Sequence, residues 1–298
     1  MENKLAIIIP AYKPAFLREA LESIANQTDN RFNLYIGDDC SPYDLKLIVD
    51  EFKDKIPLTY HRFDTNLGGK DLVAQWERCI ALSKDEEYIW LFSDDDVMEP
   101  NCVESFYEIK ELFPQESLFH FNILKIDEHK GGEIINLPKY PDILTAEEYV
   151  QKKLTGRLIS YVVEFIFSRE LYDKVGGFEK FDLAWGSDFM TWVKMSVNTS
   201  SGIITIDAPV AHILWRASSE NISPDKSYET VKRKINSLIE NASFLKQLTE
   251  SHPESFPVIK KSFRWVRFPL GEIWRNRKIL TGYDSVKFIL KYIKRVYF

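Results

Sequence analysis

The chain has 298 residues, 45% of them hydrophobic, and a formal net charge of −6, so it can bury a full core and disorder is not its default state. Three scattered cysteines, Cys40, Cys79 and Cys102, form neither a disulfide framework nor a C-x-x-C pair, which fits a reducing compartment. No run approaches the roughly 18 apolar residues of a membrane span, and the segment up to Pro10 lacks the apolar length and cleavage site of a signal peptide; the expectation is a cytoplasmic protein, peripheral at most on the inner face of a membrane.

Leu5 to Ile9 is a continuous apolar, β-branched run closed by Pro10, as expected of a strand buried on both faces. Leu17, Ala20, Leu21 and Ile24 then recur at helical spacing, and Leu34 to Ile36 reads as the next strand, ending in Gly37-Asp38-Asp39. A helix is predicted over Leu45 to Phe52, a strand over Leu58 to Phe63, the loop Asn66 to Lys70, and a helix over Leu72 to Leu82. The strand Tyr88 to Phe92 runs directly into Ser93-Asp94-Asp95-Asp96. Alternating strands and helices predict a doubly wound open sheet, with ligands beyond the carboxyl ends of its strands.

The middle of the chain is less regular: strand-like Leu118 to Ile126, apolar Tyr161 to Phe167, the Gly176-Gly177 turn, and a helix after Asp188. From Tyr228 the pattern is helical, ending in an amphipathic stretch with Val286, Phe288, Ile289, Ile293 and Val296 among lysines and arginine. Residues 260–298 hold eleven Lys or Arg against two acidic residues. That asymmetry, with Trp265, Phe268, Trp274, Phe288 and Tyr292 interleaved, suits an anionic membrane surface or a packed helical cap with a solvated face. Nucleic acid is disfavoured, because the acidic body opposes it.

Three consecutive carboxylates after a buried strand repel one another unless solvated or neutralised. Their simplest use beyond a solvated turn is to bind Mn²⁺ or Mg²⁺ through oxygen.

The motifs A-I-I-I-P-A-Y-K-P, I-G-D-D-C-S, N-L-G-G-K, Y-I-W-L-F-S-D-D-D-V-M-E-P, V-G-G-F and W-G-S-D-F, in that order over roughly the first 220 residues, resemble the inverting family 2 glycosyltransferases of GT-A fold, of the bacterial polysaccharide type. The resemblance implies a mixed α/β sheet in a nucleotide-sugar and catalytic domain, residues 1–222, followed by a helical extension, residues 223–298, basic from about 260. It implies transfer of a sugar from a nucleotide-diphosphate donor, a UDP-sugar, to a glycan or lipid-linked glycan acceptor, with inversion and metal assistance.

Position by position, the resemblance puts Pro10, Ala11 and Tyr12 beside the nucleotide base and makes Asp39 a base contact, although Asp39 also reads as a turn or cap residue. Asp95 is the foremost metal ligand, with Asp96 sharing that role or Asp94 taking it and otherwise touching ribose. Ser93 departs from the family's commoner aspartate. Asp188 matches the general base, with Ser187 in place of the preceding acid; on residue logic alone it equally caps the following helix. Lys70 and Arg216 are phosphate contacts, Lys70 equally a helix-start turn, and Trp185 is a flat face for a sugar or a core residue. Ser218 stands where the family often has a histidine, which leaves a third protein ligand open. The rival readings are a sugar-1-phosphate nucleotidyltransferase, whose Gly- and Arg-rich signature near the first strand is missing, and a non-catalytic nucleotide-sugar-binding protein.

Overall fold

The structure, a computed structural model, describes residues 4–218, 225–259 and 266–298. Trp265, the Ser219-to-Asn221 end of the Arg216 loop, and the expected domain boundary at 222/223 lie outside the described residues.

Strands β1 (Leu5–Ala11), β2 (Phe32–Asp38), β3 (Leu58–Arg62) and β4 (Tyr88–Leu91) alternate with helices α1 (Leu17–Ala25), α2 (Leu45–Val49) and α3 (Leu72–Ile80). Then come β5 (Val97–Met98), α4 (Cys102–Leu112), β6 (Leu118–Phe121), β7 (Ile123–Asp127), β8 (Glu133–Asn136) and β9 (Ile143–Leu144). They are followed by α5 (Ala146–Leu154), β10 (Phe165–Ser168), α6 (Arg169–Val175), α7 (Ser187–Ser196), β11 (Ile203–Ile206) and β12 (Ile213–Ala217). The chain ends in α8 (Tyr228–Ser251), α9 (Phe268–Arg275) and α10 (Gly282–Tyr297).

Eight strands form a mixed sheet in the order β3-β2-β1-β4-β10-β6-β11-β9. β1 is parallel to both β2 and β4, and β10 runs antiparallel between β4 and β6. The chain winds outward from β1 to β3 and returns on the other side of β1 to β4. The gap between β1 and β4 is therefore a topological switch point, where the two following loops diverge and leave a crevice.

Alternate residues of the central strands feed two cores, as the period of a strand requires. Ala6, Ile8, Ile89 and Leu91 face Trp76, Tyr149 and Trp192, while Ile7, Ile9, Trp90 and Phe92 face Leu17, Leu21 and Phe106. The first core continues into the carboxy-terminal helices through Ile239, Phe288 and Tyr292.

Three expectations change. The run from Leu118 to Ile126 is two strands, not one: it breaks at Asn122, whose side-chain oxygen accepts from Tyr140 N at 2.9 Å and whose amide donates to Asp207 at 3.1 Å. β6 stays in the large sheet, and β7 joins a second sheet ordered β5-β12-β7-β8. The apolar run from Tyr161 pairs as a strand only from Phe165, because Tyr161 N donates to the Glu164 carboxylate at 2.7 Å and folds the preceding residues into a turn. In α10, Phe288, Tyr292 and Val296 are buried, whereas Val286, Ile289 and Ile293, expected in the same stripe, are exposed with Tyr283 and Leu290.

Candidate active site

Three strand ends converge at the switch point. Tyr12 N and Lys13 N both donate to Asp94 Oδ2, at 2.7 and 2.9 Å, so the loop after β1 is tied to the acidic run after β4. Ser41 Oγ donates to Tyr12 O at 2.7 Å, joining the loop after β2 to the same place. Pro10 and Ala11 end β1, and Tyr12 stands more than a third exposed beyond them.

The run itself is organised by Ser93. Its hydroxyl lies 2.8 Å from Asp95 Oδ1 and 2.7 Å from Asp96 Oδ2. A hydroxyl has one proton to give, so two carboxylates converge on a point where only one of them can be satisfied as an anion. Burial and the neighbouring Asp95 carboxylate push Asp94 up to about 6, and burial pushes Asp95 and Asp96 above the ordinary carboxylate range. Among the described residues no set of three or more His, Cys, Asp or Glu side chains is gathered as a metal site. Two converging carboxylates nevertheless fit a small hard cation, because Mg²⁺-type ions take one or two carboxylates and complete their shell with phosphate oxygens and water.

Arg216, on β12, clamps this run from the second sheet. Its backbone N–H donates to Asp96 Oδ1 at 2.6 Å and its Nε to the Asp95 carbonyl at 2.7 Å. Its guanidinium pairs with Glu128 and with Glu19 and lies over the Phe16 ring. Asp39 is likewise engaged: it accepts from Leu67 N and Gly68 N at 2.7 and 2.8 Å and pairs with Arg78. Gly68 permits that approach, since a Cβ there would stand 2.8 Å from Asp39 Oδ2. Lys70 is exposed on the same loop.

Asp188 lies in the first turn of α7, half-buried. Gly186, the residue before that helix, has φ +83°, and a Cβ there would stand 2.1 Å from Asn241 Oδ1, so only glycine lets α7 start so close to α8. Burial raises the Asp188 pKa, while the Lys153 ammonium pulls it back down. Trp185 lies just before this turn, with Lys234 Nζ 4.5 Å from its ring centre, beside a cavity of about 130 Å³.

The two halves meet at Tyr161. Its ring stacks on Trp215 of β12 with centroids 3.8 Å apart, and its hydroxyl feels the charges of Glu164, Asp96 and Asp188, which together with burial raise its pKa. The structure thus brings Asp94, Asp95, Asp96 and Arg216 into one cluster, joined through Asp94 to Tyr12, while Asp188 reaches it only through its charge on Tyr161. Asp39 anchors the loop carrying Lys70. Sequence reasoning passed over Glu164 and Lys153; the available signal was a lone glutamate inside the apolar run from Tyr161 to Phe167.

Residues 6–126 match the family model described as Glycosyl transferase family 2. An uncharacterized glycosyltransferase of Haemophilus influenzae is 23% identical over 222 residues, covering 74% of this chain and 71% of the relative. The chain is thus similar to glycosyltransferases over about three quarters of its length. Among solved structures, Staphylococcus aureus TarS 1-349 in complex with UDP-GlcNAc is similar in fold, with a TM-score of 0.62 at 14% identity, covering 98% of this chain and 89% of that one. The chain spans 54% of a longer TarS chain. The mannosyltransferase PcManGT of Pyrobaculum calidifontis, in complex with GDP-Man and Mn²⁺, has a TM-score of 0.56 at 13% identity, covering 97% and 79% of the two chains.

Proposed function

We propose that the chain transfers a sugar from a UDP-sugar to an acceptor hydroxyl with inversion, in the assembly of a surface polysaccharide or lipid-linked glycan. The observation that carries this reading is that the acidic run, tied to the loop after β1, and the half-buried Asp188 both act on the hydroxyl of Tyr161, whose ring stacks on Trp215. One cluster suits the departing diphosphate, the other an incoming hydroxyl.

In this reading Pro10, Ala11 and Tyr12 border the base, Asp39 contacts it from the end of β2, and Asp94 reaches the ribose. Asp95, with Asp96, holds Mn²⁺ or Mg²⁺, and Arg216 and Lys70 face the phosphates. Trp185 offers a flat surface to a sugar. The chemistry such a cation supplies when bound is neutralisation of the charge on the leaving diphosphate. Asp188 takes the proton of the acceptor hydroxyl as that oxygen attacks the anomeric carbon. The bond to the diphosphate oxygen breaks with its electron pair staying on the nucleotide, and a single displacement inverts the carbon. Residues 1–222 are the catalytic unit and 223–298 a helical extension.

The extension supports a lipid-facing placement. Among the described residues no helix is long and apolar enough to cross a membrane, but α10 exposes Tyr283, Val286, Leu290 and Ile293 next to Lys287, Lys294 and Arg295. Such a face rests on anionic lipid. Flotation with anionic liposomes at low salt recovers the protein if so, and recovery no better than with neutral liposomes contradicts it.

Hydrolysis of UDP-sugars with Mn²⁺ tests the catalytic reading, comparing the parent chain with Asp95→Ala and Asp188→Asn. Both variants lose turnover if it is correct; unchanged turnover in Asp95→Ala removes the metal role, and in Asp188→Asn the base role.

A further inference from the structure

The chain reaches Asp188 through a backbone path that L-residues rarely take. Leu183 and Ala184 have φ of +59° and +52°, and Gly186 follows at +83°. Glycine adopts that region freely, but a leucine and an alanine do so only where the surroundings hold them.

What holds them comes from α8. Arg233, Ser237 and Asn241 recur every four residues, which puts them on one face of that helix, and all three reach the segment before α7. Ser237 Oγ donates to Asp182 O at 2.7 Å, and Asn241 Nδ2 donates to Trp185 O at 3.1 Å and to Ser237 O at 2.7 Å. Both atoms in front of Nδ2 are carbonyls, which fixes that end of the amide as the donor. Its other end, Oδ1, is buried against the Gly186 α-carbon with no hydrogen-bond partner among the described residues. Leaving that oxygen unpaired is unfavourable, and turning the amide over is worse, since the oxygen would then face two carbonyls. The ion pair of Arg233 with Asp182 contributes little, because both side chains stand nearly half in water. The buried bonds of Ser237 and Asn241, 0% and 1% exposed, carry the contact.

We propose that Ser237 and Asn241 are positioning residues that clasp the strained segment 182–186 and so set where Trp185 and Asp188 stand. The proposal rests on the reading of Asp188 as the general base and deepens it.

The link to Asp188 runs through the main chain. Gly186 is the residue before α7, and its carbonyl accepts from Met190 N at 3.0 Å, the first bond of the helix whose first turn carries Asp188. A shift of the Gly186 turn therefore shifts the start of α7 and the carboxylate with it. Trp185 is held by α8 at two points: its carbonyl by Asn241, and its ring by Lys234, whose Nζ lies 4.5 Å from the ring centre and donates to Asp225 O at 2.8 Å. Ile235, Ile239 and Ala242 of α8 lie in one core with Met190 and Trp192 of α7, so the helix that presents the clasp is fixed to the body it acts on. The helical extension thereby completes the geometry of the catalytic unit.

The test is made on the intact chain labelled with fluorotryptophan. The chain has seven tryptophans; the Trp185 resonance is the one lost in Trp185→Phe, and the others report on the rest of the fold. Ser237→Ala and Asn241→Ala each move or split the Trp185 resonance and leave the others in place. In the same variants kcat for hydrolysis of UDP-N-acetylglucosamine with Mn²⁺ falls by roughly 10- to 100-fold, as expected of a misplaced reacting group, while KM for the donor is unchanged. Arg233→Met, at the exposed pair, keeps the parent's resonance and kcat. Ala184→Gly, added to Ser237→Ala, restores most of the lost kcat, because glycine takes the left-handed conformation without being held. A Trp185 resonance and a kcat at parental values in both Ser237→Ala and Asn241→Ala overturn the proposal, and so does a fall in kcat with no recovery in the glycine double variant. If Asp188→Asn keeps full turnover while the Trp185 resonance still responds to Ser237→Ala and Asn241→Ala, the base assignment fails and the clasp stands. Thermal melts of each variant show that the compared proteins are folded.

Discussion

The acidic run after β4 and the surroundings of Asp188 both gather buried and half-buried carboxyls, yet they are built in opposite ways. Asp94, Asp95 and Asp96 are consecutive, and each is held by a hydroxyl or by main-chain N–H groups: Asp94 by Tyr12 and Lys13, Asp96 by Arg216, Asp95 and Asp96 together by Ser93. Arg216 Nε binds a carbonyl there, and its guanidinium is paired with Glu19 and Glu128. Asp188 and Glu164 come from different elements, and the charge of one ammonium, Lys153, held on Ser160, lowers the pKa of both. Three adjacent carboxyls with Lys13 and Arg216 as the charges that offset them are suited to recruit a further cation. A cluster that carries its own is suited to keep a single carboxylate ionised while its neighbour stays neutral.

That contrast is broken most severely at Asp188. Asp188→Asn keeps the shape of the α7 turn and removes the base, so transfer falls by roughly 10²–10⁴-fold while the melting temperature is maintained or rises; steady-state kinetics beside a thermal melt checks both. Asp95→Ala removes one of the two oxygens converging on Ser93 and costs several kcal/mol of leaving-group stabilisation, roughly 10²–10³-fold in rate. Here the dependence of rate on Mn²⁺ concentration weakens as well, which Asp188→Asn does not produce.

Gly186→Ala strains the left-handed turn between Trp185 and Asp188 and drives a Cβ into Asn241. It costs more than about 1 kcal/mol of stability, measurable by urea denaturation, and lowers activity by moving Asp188 rather than by removing it. The smallest effect is on pH-dependent stability. The raised Glu164 pKa means that the folded chain holds a proton that the unfolded chain releases from about pH 4.5 upward, so this group's contribution falls as pH rises toward about 8. Glu164→Gln lacks that dependence. Its melting temperature gains on the parent's as pH rises from about 5 to about 8.

The two clusters also differ in how much of them is legible in the amino-acid sequence. The acidic run is local: an apolar strand that runs directly into three aspartates is visible without a structure, and the order of β1 to β4 follows from strands alternating with amphipathic helices. Asp188 is visible only through the motif around it. Its partners are 24 or more residues away in the chain, and Glu164 hides in a stretch whose hydrophobicity suggests an uninterrupted strand. The break at Asn122 is equally silent, because the side-chain bonds that enforce it reach Tyr140 and Asp207. Local periodicity encodes strands and helices well, but polar contacts between distant segments leave no period to read. In α10, helical spacing identifies an amphipathic helix while leaving open which of its apolar residues the rest of the chain covers.

The central claim, that Asp95 and Asp96 hold a cation which in turn holds a nucleoside diphosphate, is tested most directly by the thermal shift of the chain with UDP, with and without Mn²⁺. A ligand that binds the folded state raises the melting temperature by mass action. The account predicts a clear rise with UDP and Mn²⁺ together, little with either alone, and none in Asp95→Ala. An equal rise with UDP in the absence of Mn²⁺, retained in Asp95→Ala, would contradict it.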